Sequence, residues 1–297
     1  MSTGTDPLAP LAQLPGVPDA VAEVRKAVDR LYGHRVMRRR AAEVTSESAL
    51  RGARASAALA GADWPLEEVR RRSDFSADPE SRTVGAALRI AAEAGQLLSV
   101  WRHSPLQVLA RLHLLAVGDA DAGAGRPRQG GEAAEELFPL ELEPAESVEA
   151  DPAAGEPVAA LPPAPGADEV AARLDQLSRL LVARAEGQGV GTPALVVASV
   201  VHGELLALRP FRSYNGVIAR AAQRIVLIAE GLDPKSICPA EVGFAELGTD
   251  AYRRALAGYL SGTPEGMAAW IAYSGRALRL GVRESTAVCE AMQRGMV

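Results

Sequence analysis

Apolar positions recur along this chain at three- and four-residue spacing. Almost nowhere do they alternate every second residue, as a half-buried strand requires. In DAVAEVRKAVDRLY, Val21, Val24, Val28 and Leu31 mark one helix face beginning at Asp19. From His34 to Gly61 the chain is rich in Ala and Arg and free of proline, which predicts one long helix with Gly61 as its C-cap. Asp63, Trp64 and Pro65 open a short helix over LEEVRRRS. Residues 78–101 and 104–117 predict two more. In the second, Leu106, Leu109, Leu112, Leu114 and Leu115 are too dense for one exposed face, which predicts a central position. Helices resume near Asp168. Residues 192–209 are apolar nearly all round, the mark of a buried central helix. Pro210 stops that helix. After a short loop, GVIARAAQRIVLIAE forms the next one, closed by Gly231. Three helices follow, over 239–247, 249–261 and 264–280, and a last one runs from Val282 to the end. No alternating strand of convincing length and no repeat of 20–50 residues occurs. The expected fold class is all-α.

Composition supports this reading. Of the 297 residues 48% are hydrophobic but only 4% are aromatic, so the core rests on Ala, Leu and Val, which favours close-packed helices over a sandwich. No apolar run reaches membrane-spanning length. The first residues lack a basic segment followed by an apolar stretch, so no secretory signal is expected. Cys238 and Cys289 are too far apart for a metal knuckle, and with no His or second Cys nearby they read as inert. A cytoplasmic protein is the expectation.

Charge divides the chain. From Asp119 to Glu169 there are 13 acidic residues, opposed only by Arg126 and Arg128, among many Pro, Gly and Ala. The stretch predicts a disordered acidic loop. The whole chain has net charge −5, so the remainder is mildly basic and the balance gives no sign of a nucleic-acid binder. The basic runs Arg38–Arg40 and Arg70–Arg72 read as solvated faces. The expected organisation is a disordered leader over 1–17, an N-terminal helical part over 18–118, the acidic loop over 119–167, and a helical core with C-terminal helices over 168–297.

The most informative segment is HGELLALRPFRSYNGVIARAAQRIVLIAEGLDP, residues 202–234. It resembles the Fic (Fido) signature H-P-F-x-[D/E]-G-N-G-R-x-x-R between two central helices. The likeness covers about residues 18–118 and 168–290. It implies an all-helical Fido-like domain with an N-terminal helical extension. Most such proteins transfer AMP from ATP to a hydroxyl of a target protein.

The departures from the signature fall on its chemistry. Arg209 stands at the family's general-base position, and a guanidinium stays protonated and cannot accept the target's proton. Ser213 stands where the family has an acidic metal ligand, which leaves no metal site. Tyr214 stands at the first glycine, where it crowds the backbone's approach to phosphates and disfavours a positive φ. Val217 stands at the phosphate-clamping arginine. Pro210, Phe211, Asn215, Gly216 and Arg220 remain. Pro210 and Phe211 read as structural. Asn215, Gly216 and the amides beginning the next helix, with Arg209 and Arg220, form a candidate phosphate or nucleotide site. The alternative is a purely structural loop.

SAALAG, from Ser56 to Gly61, resembles the inhibitory pattern [S/T]-x-x-x-E-[G/N], with Ala60 at the glutamate position. The resemblance implies that this glutamate would pair with an arginine at position 217, so both ends of that salt bridge are absent. The family's flap, a β-hairpin before the motif, corresponds to the acidic stretch, which has little strand propensity. His202 lies two helical turns before Arg209 and reads as a buried, satisfied histidine. Together these readings imply a degenerate Fic protein without AMP-transferase activity, acting as a binding or regulatory module. The alternative is a nucleotidyl or phosphoryl transferase working through an altered motif. The candidate ligand is ATP or another nucleotide, without a well-formed magnesium site. The expected partner is a protein rather than nucleic acid or membrane, and homo-oligomerisation stays open.

Overall fold

The computed structural model describes residues 6–118, 121, 123–148, 160–187 and 191–296. Twelve α-helices are seen among them, and no strand. They are α1 (Val17–Tyr32), α2 (Ala41–Ala58), α3 (Leu66–Arg71), α4 (Pro79–Ala94), α5 (Leu98–Trp101), α6 (Pro105–Val117), α7 (Ala167–Ala185), α8 (Ala194–Leu208), α9 (Asn215–Ala229), α10 (Ala240–Glu246), α11 (Thr249–Ser261) and α12 (Pro264–Gln293).

The fold is built around α8 and α9, which pack along each other. Both bury almost every residue, α8 being apolar on nearly every side while α9 also buries Asn215, Arg220, Gln223 and Arg224. Gly203 of α8 lets large neighbouring rings approach closely. A side chain on Gly203 would run into Tyr259 and Trp270. Trp270 lies fully buried and donates its indole N–H to the Ser199 carbonyl at 2.7 Å. The long α12 packs against α1, α8, α10 and α11, and α2 and α4 cover α9. One hydrophobic cluster runs through elements on both sides of the acidic stretch, so the N-terminal helices and the motif helices share a core.

Several local expectations are corrected. The helix expected over 34–61 begins only at Ala41, after a 3-10 turn at Arg35–Arg38. The helix over 78–101 breaks at Gly95 into a 3-10 turn and the short α5. The leucine-rich α6 is not central: Leu106 and Leu114 are 37% and 42% exposed, while Leu109 and Leu112 face the core. Gly281 does not end a helix, and α12 runs through it. A Cβ there would sit 2.3 Å from the Pro239 carbonyl oxygen, so this glycine serves close packing against the start of α10. The leader is docked from Asp6 onward. Asp6 is buried, bonds Thr192 and pairs with Arg184 at 2.8 Å, and Leu8 joins the core.

The acidic stretch differs most from its compositional reading. Residues 123–148 contain neither helix nor strand, yet they lie against the helices as a strap, with Leu137 and Phe138 buried. The acids themselves fasten it. Asp121 pairs with Arg212, Glu132 with Arg126, and Glu141 with Arg253 and Thr249. Counted as a net charge they predict repulsion; Asp121, Glu132, Glu135 and Glu141 in fact each meet a donor. Residues 149–159 lie outside the described residues.

Candidate functional site

The site is the loop between α8 and α9. Leu208 ends α8, and Arg209 turns the chain through the left-handed region at φ 42° and ψ 64°. Tyr214 does so again at φ 60°, immediately before α9. A non-glycine residue there costs roughly 1–2 kcal/mol. Tyr214 therefore keeps the backbone that glycine gives the signature, contrary to the expectation from its side chain.

Internal bonds hold the loop closed. The Asn215 side chain accepts the Phe211 N–H and donates to the Phe211 carbonyl, both at 2.8 Å. Its amide group is thereby committed to the loop, leaving only its backbone N–H for a ligand. Phe211 is 2% exposed and stacks on His113 of α6, with ring centroids 4.3 Å apart. The His113 Nδ1 accepts the Gly125 N–H, and burial lowers its pKa to about 4.

The strap crosses this loop. The Arg128 N–H donates to the Pro210 carbonyl at 2.7 Å, and the Glu135 N–H to the Arg212 carbonyl at 3.1 Å. The buried Arg128 guanidinium donates to the carbonyls of Leu208, Arg209, Glu132 and Pro165. The Glu135 carboxylate then accepts the Asn215 N–H at 2.5 Å, at the N-terminal end of α9. Burial raises the Glu135 pKa, against the lowering effect of the Tyr214 and Asn215 N–H groups.

Arg209 donates through Nη2 to the Pro162 carbonyl at 2.6 Å, and its Nε is buried without a partner. Burial lowers its pKa, and the Arg128 charge adds to this. It remains a cation. Ser213 is partly exposed and brings no charge. Among the described residues no group of three or more His, Cys, Asp or Glu side chains is placed to hold a metal ion. The residues present do not fit a magnesium-bound nucleotide of the kind the resemblance implies.

Val217 faces α2 and α4. It packs with Ala53, Ser56, Ala87, Ile90 and Ala91 around a cavity of only about 20 Å³, room for about one water. Arg220, one turn on, is 2% exposed. Its Nε donates to the Ser56 hydroxyl and its Nη2 to the Ser56 carbonyl, both at 2.9 Å. Arg220 therefore ties α9 to α2 through Ser56. Ala60 is partly exposed, and Gly61, at φ 98°, has the Pro139 ring of the strap beside it.

The remaining candidates lie apart from the loop's chemistry. His202 is fully buried with Nε2 2.6 Å from the Tyr252 hydroxyl, and burial holds it neutral. Cys238 and Cys289 are buried and free. Arg40 pairs with Glu43, Arg70 with Glu47 and Arg72 with Glu68. A polar cleft of about 580 Å³ between α2, α3, α10 and the strap includes Arg51, Arg54, Asp63 and Glu246 in its walls but not the motif loop.

Sequence reasoning missed Glu135, Arg128 and His113. Only Arg128 carried a signal, as one of two basic residues among thirteen acids. A bond joining residues 80 apart has no sequence signature.

No helix among the described residues is long and apolar enough to cross a membrane. No family model and no curated protein matches the chain. Solved structures do match. A Fic family protein from Desulfovibrio desulfuricans G20 superposes with a TM-score of 0.68 at 22% identity, over 92% of this chain and 75% of that one. Fic-1 (aa134–508) from C. elegans gives 0.61 at 14% identity, over 93% and 73%. A Fic domain containing signaling protein from Bacteroides thetaiotaomicron VPI-5482 gives 0.59 at 11% identity, over 92% and 98%. Superposing on these proteins over more than nine-tenths of its length, the chain has the Fic (Fido) fold.

Proposed function

We propose that this Fido-fold protein does not transfer AMP and acts as a binding or regulatory module toward a protein partner. The observation that carries the reading is the state of Arg209. At the position of the family's base stands a guanidinium that bonds the Pro162 carbonyl, with the Arg128 charge beside it. A permanent cation cannot take a proton from an attacking hydroxyl, and loss of a general base alone costs about 10²–10⁴-fold in rate. His113 is the imidazole in contact with the loop. Its Nδ1 is occupied by Gly125 and its Nε2 is buried, so it does not replace the base.

Two further features support the reading. Ser213 offers no carboxylate for a metal. Val217 fills with a packed apolar side chain the position of the phosphate clamp. Losing electrostatic stabilisation of the transferred group costs about 10²–10³-fold for each donor removed.

The test is incubation of the purified protein with ATP labelled at the α-phosphate and magnesium, alone and with cell lysate. No label above a heat-denatured control is expected. Protein-bound label that disappears in Asn215→Ala would overturn the proposal and favour a transferase working through an altered motif.

A further inference from the structure

The cleft between α2, α3, α10 and the strap has a volume of about 580 Å³, within the range of ligand-holding pockets. Its floor is apolar. Ala55 and Ala58 of α2 are buried there, and Leu142 of the strap with Val242 and Ala245 of α10 are half-buried. Its mouth is charged. Asp63, Glu141, Glu143, Glu246 and Glu284 stand there with Arg51 and Arg54, so the lining carries three more carboxylates than guanidiniums.

Both guanidiniums are already engaged. Arg51 pairs with Glu47 and Glu284, and Arg54 with Asp63 and the Trp64 carbonyl. Of the other carboxylates, Glu141 and Glu246 take their partners, Arg253 and Arg283, from outside the lining, and Glu143 is exposed. Burial raises the Glu246 pKa; Arg283 opposes the rise and Glu284 adds to it. A further cation in the cleft would favour the charged form of this carboxylate.

The cleft is preformed on its strap side. The Thr249 N–H donates to the Leu142 carbonyl, and the Leu142 N–H to the Thr249 hydroxyl, both at 3.0 Å. The Ala145 N–H donates to the Glu246 carbonyl at 2.8 Å. The opposite wall is the helix α2. Walls fixed before a ligand arrives lose little freedom on binding.

An apolar floor under an anionic mouth matches the side chains of arginine and lysine. Each lays an aliphatic stem on apolar surface and carries its charge at the tip. We propose that this cleft docks a peptide segment of a protein partner that combines basic and apolar residues. Its cationic heads meet Glu143 and Glu246, and its stems and flanking apolar side chains lie on the floor. The occupant touches both α2 and the strap, the two elements that bond to α9 through Ser56 and Glu135. The inference rests on the reading of the chain as a module for a protein partner and gives that partner's chemistry. AMP transfer at the motif loop would overturn that reading and leave the cleft untouched.

The experiment pans the full chain against a phage-displayed library of random dodecapeptides. Selected peptides are resynthesised with a fluorophore and titrated by anisotropy against wild type, Glu143→Lys, Glu246→Gln and Glu290→Lys. Glu290 is an exposed acid of α12 outside the cleft, so its variant controls for net charge. The selected peptides are expected to carry arginine or lysine together with apolar residues. Glu143→Lys should weaken their binding roughly tenfold or more, Glu246→Gln by a smaller factor, and Glu290→Lys by less than about twofold. Binding should also weaken as salt rises. Melting temperatures check that each variant folds, and Glu143, being exposed, carries the test if Glu246→Gln does not. Selection of acidic or uncharged peptides, or of none, overturns the proposal. Basic peptides that bind Glu143→Lys as tightly as wild type overturn it as well. So does spermine binding as tightly as the peptides, because a polyamine has no apolar side chains for the floor.

Discussion

The guanidinium of Arg220 grips Ser56 twice, Nε on the hydroxyl and Nη2 on the carbonyl, both at 2.9 Å. These residues are 164 positions apart and join α2 to the motif helix in the buried core. In the inhibitory pattern that SAALAG resembles, a carboxylate would meet a motif arginine. Here a neutral serine does. The serine's two oxygens occupy two guanidinium nitrogens without neutralising the arginine's charge, and Tyr252 and Glu135 lie within its electrostatic reach.

Ser56→Ala removes the hydroxyl and leaves the Arg220 Nε buried without an acceptor. A loss of about 1–3 kcal/mol in unfolding free energy is expected. Urea denaturation of the two proteins measures it. An unchanged midpoint and slope would mean that solvent reaches Arg220.

Phe211→Ala empties a buried aromatic site and removes the stack on His113. The expected cost is about 3–5 kcal/mol. Melting temperature and urea midpoint should both fall. A loss below about 1 kcal/mol would contradict the burial of Phe211 between α6 and the two central helices.

How legible the site was follows from which forces fix it. α8 was legible because a fully buried helix with no polar partners must be apolar on nearly every side, and Pro210 must stop it; α9 was legible from the helical run of apolar positions closed by Gly231. The loop's closure by Asn215 follows from local geometry, since it bonds a residue four positions away. Gly281 misled, because a glycine placed for close packing against Pro239 looks in sequence like a glycine that ends a helix. The strap misled more deeply. Its composition is that of a disordered segment, and Glu135 differs in nothing visible from Glu136 beside it. Only the register set by Arg128 and Glu135 against the loop carbonyls distinguishes the residue that reaches α9 from the one left exposed.

His113 gives the site a pH dependence. Its pKa is lowered from 6.5 to about 4, chiefly by burial, with Arg212 adding to the shift and Asp121 opposing it. The folded state therefore binds fewer protons than the unfolded one across this range. Stability is fully present above pH 6.5 and is lost as pH falls toward about 4. Allowing for solvent screening on the side of Asp121 and Arg212, the loss is about 2 kcal/mol. His113→Phe keeps an aromatic ring under Phe211 and removes the titration. Urea midpoints at several pH values should then fall less steeply for the variant between pH 6.5 and 4. Parallel curves for the two proteins would show that His113 titrates as it does in the unfolded chain.

The last prediction concerns rebuilding the signature. Arg209→His, Ser213→Asp, Tyr214→Gly and Val217→Arg together return a base, a metal ligand, a close backbone approach and a phosphate clamp. The structure sets two obstacles that the signature does not reveal. Val217 is 2% exposed, and the cavity beside it is only about 20 Å³, so an arginine there must push α2 or α4 aside or turn its side chain toward the loop. The Glu135 carboxylate also still sits on the Asn215 amide, where a phosphate would bind. The fourfold variant is therefore expected to bind ATP no more than about threefold tighter than wild type, because a bound carboxylate and a phosphate compete for the same donors. Adding Glu135→Ala should release the gain, giving tighter ATP binding than either the fourfold variant or Glu135→Ala alone. Such non-additivity is the mark of residues acting on one site. Calorimetric titration of all four proteins with ATP and magnesium reads it directly. Equal affinities for the fourfold and fivefold variants would mean that Glu135 does not stand between the rebuilt loop and its ligand.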